Sequence, residues 1–311
     1  MLRFVRFGLM GTALCGLFLC GAARASGQVG AIIGTGTFTS FVENMDRSLA
    51  FYHDVFDMEV PPLPESGERP YNRANPQLFA MFDIPGARER HQSARMAGTR
   101  LSIEMIEIQH VEHRTIPLRV QDPGAATIVF VVRDIDAALA RIKAAKASIV
   151  TPAEKPVTLA DGTRAFLMRD IDNRFIEIRQ PAARPDADPT TTGNIVDLRL
   201  SIAVNDMDRT THVYRDVLGF RVEGETAFAA DTPTRALTGL EKVDVRRSRV
   251  QAPGSALWIE LVEYKGVERA PLRMRIQDRG AARRPEQLLS DTVCAMRRVR
   301  GSITVASRVS S

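Results

Sequence analysis

Histidine, cysteine and tryptophan are scarce in this chain: five, three and one in 311 residues. Two of the cysteines, Cys15 and Cys20, fall inside an apolar run over residues 7–22. If that run is removed on export, Cys294 stands alone, which excludes an internal disulfide and leaves stability to burial. No second long apolar run follows, so nothing further in the sequence reads as a membrane span. Nor do aromatic and basic residues interleave as they do in nucleic-acid binders, which argues against a nucleic-acid partner.

The N-terminus reads as a signal peptide over residues 1–25. Arg3 and Arg6 give a positive start, the apolar run follows, and Ala23-Arg24-Ala25 supplies small residues at the cleavage point before Ser26. The expected location is secreted or periplasmic, with no membrane attachment after cleavage. The formal charge of +5 is unevenly placed. From Lys265 onward there are eleven basic and four acidic residues, whereas residues 26–264 are net acidic. A basic tail on an acidic body is no general sign of an anionic partner.

What the sequence does contain is repetition. V-E-N-M-D-R-S-L-A-F-Y-H-D-V-F-D-M-E-V at residues 42–60 returns as V-N-D-M-D-R-T-T-H-V-Y-R-D-V-L-G-F-R-V at residues 204–222. A looser version, V-R-D-I-D-A-A-L-A-R-I-K, begins at Val132. Each reads as a strand end, a polar turn with capping oxygens, and an amphipathic helix. Hairpins are expected over residues 91–108, 165–180 and 245–264, with apolar strands at 127–132 and 196–204. R-V-Q-D-P-G-A-A at Arg119 recurs as R-I-Q-D-R-G-A-A at Arg275, after which apolar patterning stops. The reading is therefore a complete domain over 34–180, built of modules 34–124 and 125–180, and a linker over 181–194. The first module of a second domain follows over 195–282, and then a degenerate or truncated basic tail over 283–311. The tail is expected to be the product of a frameshift or a truncated allele.

Strands ending V-x-D-h-D before a helix, and the closing R-D-I-D-N-R-F-I-E-I at residues 169–178, resemble the vicinal oxygen chelate superfamily. That group takes in glyoxalases, extradiol dioxygenases and bleomycin-resistance proteins. The resemblance implies an α+β fold of paired βαβββ modules whose mixed sheet curls into a cup. It also implies a small oxygenated ligand and a divalent metal (Fe, Mn, Ni or Zn) on carboxylate and imidazole ligands.

Carried onto this sequence, the resemblance places Glu104 and Glu177 as metal ligands or catalytic bases facing one cup, with Glu260 as the equivalent in the second domain. Thr37, Thr127 and Arg199 stand where the first-strand histidine ligand belongs, and a hydroxyl is a weak ligand for such ions. Thr37, Thr127 and His91 are expected to line the cup. His53, His110, His113 and His212 are read as packing or surface residues. Three readings remain open: metal-dependent lyase, isomerase or dioxygenase chemistry, metal-independent binding of a small molecule, and an interaction role for a degenerate domain. A cup shared across a homodimer is compatible with each.

Overall fold

The computed structural model describes residues 37–278, except 68, 71–75, 115, 184–190, 225–226, 256 and 276. The proposed signal peptide and the tail over 283–311 lie outside these residues. The fold is α+β with mixed, open sheets, as the sequence implies.

The first repeat runs β1 (Thr37–Val42), α1 (Met45–Phe56), α2 (Pro76–Met81), β2 (Arg88–Arg95) and β3 (Ser102–Gln109). The second comprises β4 (Ala126–Val132), α3 (Ile135–Ala144), the short β5 (Ser148–Ile149) and β6 (Val157–Thr158), then β7 (Arg164–Arg169) and β8 (Phe175–Gln180). The third has β9 (Ile195–Val204), α4 (Met207–His212), β10 (Arg221–Glu223), β11 (Ala229–Ala230), α5 (Thr232–Thr238), β12 (Asp244–Gln251) and β13 (Trp258–Lys265).

One pairing pattern recurs in all three. The first strand lies parallel to the last, and the last is antiparallel to the one before it: β1-β3-β2, β4-β8-β7 and β9-β13-β12. Register repeats as well, setting Thr39 against Glu104, Val129 against Glu177, and Ser201 against Glu260.

The helices form where local chemistry directs. Asn44, Asp134 and Asp206 cap α1, α3 and α4 by accepting from backbone N–H groups of the first turn. Glu107 and Glu263 are buried and paired. Each accepts from the first N–H of a helix, Met45 at 2.6 Å and Met207 at 2.8 Å, and each binds an arginine, Arg90 or Arg246. Their negative charge suits the positive helix end. The sequence predicts one helix over 207–218, but only its first half is α-helical. The hydroxyls of Thr210 and Thr211 bond back to Asp206 and Met207, and Val213–Val217 widens into a π turn.

The repeats do not all meet in the same way. β4 and β9 pair antiparallel, Thr127 opposite Ser201, so the second and third repeats share a ten-stranded sheet. This pairing crosses the expected 181–194 linker. The first repeat keeps its own three-stranded sheet. It packs through α1, whose Leu49, Tyr52 and Phe56 join Phe130, Ile142 and Phe166 in one core.

Candidate ligand-binding cavity

Neighbouring strands β13, β9, β4 and β8 of the large sheet line one cavity. In a strand, residues two apart share a face, so Glu177 and Arg179 on β8 both point into the cavity, as do Thr127 on β4 and Ser201 on β9. Glu260 and Tyr264 come from β13 and Arg247 from β12. A roof is added by α5, with Asp231, Thr234 and Leu237, and by the turn at Asp161. The half-open cavity measures about 480 Å³, within the range that suits a small molecule. Its remaining wall is largely small and apolar, including Ala125, Ala203, Ala229 and Ala230.

Across the floor runs a chain of alternating charge. Arg179 binds both oxygens of Glu177, with Nη2 to Oε2 at 3.1 Å, and the same Nη2 donates to Glu260 Oε2 at 3.1 Å. Arg247 continues the chain, with Nη1 at 3.4 Å from Glu260 Oε1 and Nη2 at 3.3 Å from Asp231 Oδ2. Asp231 serves twice, since its other oxygen caps α5 through Thr234 N at 2.7 Å.

The electrostatics follow from this arrangement. Burial alone would raise the Glu260 carboxyl, but Arg179 and Arg247, with a hydrogen bond from Ser201, overcome it and bring it down to about 2. Burial, reinforced by Glu177 and Glu260 against Arg247, pushes the Tyr264 hydroxyl well above its usual range. Arg179 pays desolvation yet is raised by its two carboxylates, so it stays a cation at any working pH.

Of the residues expected from sequence, the cavity gathers Thr127, Glu177 and Glu260. It does not gather Thr37, Glu104 or His91, which lie on the three-stranded sheet. The physical reason is strand pairing: β4 takes β9 as its neighbour, and β1 is not part of that sheet. There Glu104 accepts from Thr39 Oγ1 at 2.7 Å and meets His91 Nδ1 at 3.3 Å, while His91 Nε2 lies 3.3 Å from Glu89. That contact with Glu104 raises the His91 pKa against the effect of burial. Thr37 bonds Ser102 at 2.7 Å. Arg199 pairs with Asp197.

Sequence reasoning did not single out Arg179, Arg247, Asp231, Ser201 or Tyr264. For Arg179 a signal was present, since it follows Glu177 by two residues in I-E-I-R and must share its face.

Comparison with known proteins bears on the same residues. Residues 34–178 match the family model described as the Glyoxalase/Bleomycin resistance protein/Dioxygenase superfamily. The match covers 145 of the 311 residues, and over that part the chain is similar to that superfamily. Among curated proteins none matches the chain. Glyoxalase I from Zea mays is similar at 16% identity and a TM-score of 0.49, covering 75% of this chain and 68% of that one. A putative dioxygenase from Bacillus subtilis gives 13% and 0.45, covering 74% and 64%. A glyoxalase family protein from Bacillus cereus gives 16% and 0.40, covering 50% and 99%.

Members of the superfamily often use a divalent metal, but the donors in this cup do not fit one. A guanidinium bridges the two equivalent carboxylates, Glu177 and Glu260. Only hydroxyls stand on the adjacent strands, at Thr127 and Ser201. Among the described residues no three His, Cys, Asp or Glu side chains gather as a metal-binding group.

Proposed function

We propose that this glyoxalase/dioxygenase-like chain binds a small oxygenated molecule in the cup of β4, β8, β9 and β13, and does so without a metal. The observation that carries the reading is Arg179 bonded to both Glu177 and Glu260. A divalent ion entering between these carboxylates would have to expel a partly buried, charge-paired arginine, and pairs of this kind are costly to break. Metal-assisted lyase, isomerase or dioxygenase chemistry therefore has no support from these side chains. A general-base role is also poorly supplied. Glu260, with a pKa near 2, is a weak proton acceptor at neutral pH, and both oxygens of Glu177 are engaged by Arg179. Binding is what remains well provided for: a concave volume, largely apolar walls, and hydroxyls at Thr127, Ser201, Thr234 and Tyr264.

Calorimetric titration of chelator-treated protein with Zn²⁺, Mn²⁺ and Ni²⁺ tests the metal-independent reading. No stoichiometric heat is expected. Uptake of one ion per chain at micromolar or tighter affinity would overturn it.

Export belongs to the same proposal, supported by Arg3, Arg6, the apolar run and Ala23-Arg24-Ala25. N-terminal sequencing of the protein from a periplasmic or culture-medium fraction should begin at Ser26.

A further inference from the structure

Arg179 has five N–H donors in a rigid planar fork. Nε and Nη2 are spent on Glu177 and Glu260. Nη1 has no hydrogen-bond partner among the described residues, yet it is not among the buried atoms left unsatisfied, and its side chain lines the cavity. The two N–H groups of Nη1 are thus presented to whatever fills the cup, by a guanidinium clamped in orientation by two carboxylates.

The charge around that donor narrows the occupant. Lining the cavity are four carboxylates (Glu177, Glu260, Asp231 and Asp161) against two arginines, a formal balance of two negative charges. An anionic ligand would reach the Nη1 donors only beside Glu177 and Glu260, paying like-charge repulsion in a desolvated place. A cation would suit the net charge but has no acceptor role for Nη1 and faces its positive charge directly. A neutral acceptor oxygen satisfies both constraints. The alanine-rich wall asks for a small apolar body attached to it.

Resting on the metal-independent reading above, we infer that Arg179 is the ligand-recognition residue of the cup and that its ligand is a neutral carbonyl compound, accepted through the oxygen by the Nη1 donors. Arg179 here does with a fixed guanidinium what an ion would do elsewhere: it places positive charge at the ligand oxygen. No covalent step is involved.

Four probes of nearly equal shape separate the alternatives: acetophenone, benzoate, benzylammonium and ethylbenzene. Their affinities for the full chain are read by ligand-observed NMR titration, in chelator-containing buffer. Acetophenone should bind about tenfold more tightly than each of the others, the size of one added hydrogen bond to an ionised donor. Arg179→Lys keeps a positive charge between the carboxylates but loses the fork, and should lower acetophenone affinity about tenfold while leaving ethylbenzene unchanged. Arg179→Gln serves if the lysine variant fails to fold, with the same expected loss.

Ethylbenzene or benzoate binding as tightly as acetophenone would overturn the inference, and so would binding of none of the four. Indifference of acetophenone to Arg179→Lys would overturn it too. These outcomes leave the metal-independent reading standing, because that reading fails only on stoichiometric metal uptake.

Discussion

Glu260 carries the pH dependence of the cup. Its carboxyl lies at about 2 in the folded chain against an ordinary 4.5. A depressed folded-state value means the stabilisation is fully present above 4.5 and is lost as pH falls toward 2. The shift corresponds to about 3 kcal/mol as an upper bound, because Glu260 keeps 23% of its side-chain surface exposed. Urea unfolding midpoints measured from pH 6 to pH 2.5 should fall for wild type and fall distinctly less for Glu260→Gln. A second residue-scale prediction concerns Tyr52, whose buried hydroxyl donates to Asp170 Oδ2 at 2.8 Å. Tyr52→Phe leaves Asp170 short of a donor inside the core and should lower unfolding free energy by about 1–3 kcal/mol. Glu177 was placed by the family resemblance, and strand periodicity carried an unread signal for Arg179 two residues on. The Arg247–Glu260 contact was not, because it depends on how β12 and β13 register across a hairpin separated by six residues.

At the scale of elements, α5 shows how local signals and tertiary effects divide. Asp231 as cap, a proline in the first turn and Gly239 at φ 77 closing the helix are all present in D-T-P-T-R-A-L-T-G. The helix is nonetheless short, and its position over the cavity rests on Leu237 packing with Leu118, Leu167 and Phe175. Thr151 Oγ1 also donates to the Leu237 carbonyl at 3.0 Å. Leu237→Ala should cost about 2–3 kcal/mol and speed amide exchange in α5 before β4 or β9. Equal acceleration throughout the sheet would contradict the roof's independence. The three capped helices were readable because capping is a matter of adjacent residues. The π turn over Val213–Val217 was not, since the competition between threonine hydroxyls and backbone amides is not resolved by helical periodicity.

For the whole molecule, the repeated pattern made the fold class readable, while the grouping of modules was not. The strands β1, β4 and β9 are all first strands of a repeat, and nothing in their alternation tells which two will pair. In the structure β4 and β9 join, which brings Glu177 to Glu260 and leaves Glu104 with Thr39 and His91. The expected partnership of Glu104 with Glu177 thus depended on a choice of neighbour made by long-range packing. The cup that results holds a cation of its own in Arg179.

That claim is tested most directly by crystals of the protein soaked in Ni²⁺, with anomalous data collected at the nickel edge. The account predicts density for the Arg179 guanidinium bonded to both Glu177 and Glu260, and no anomalous peak between the carboxylates. A nickel peak there, with Arg179 swung out of the cup, would contradict it.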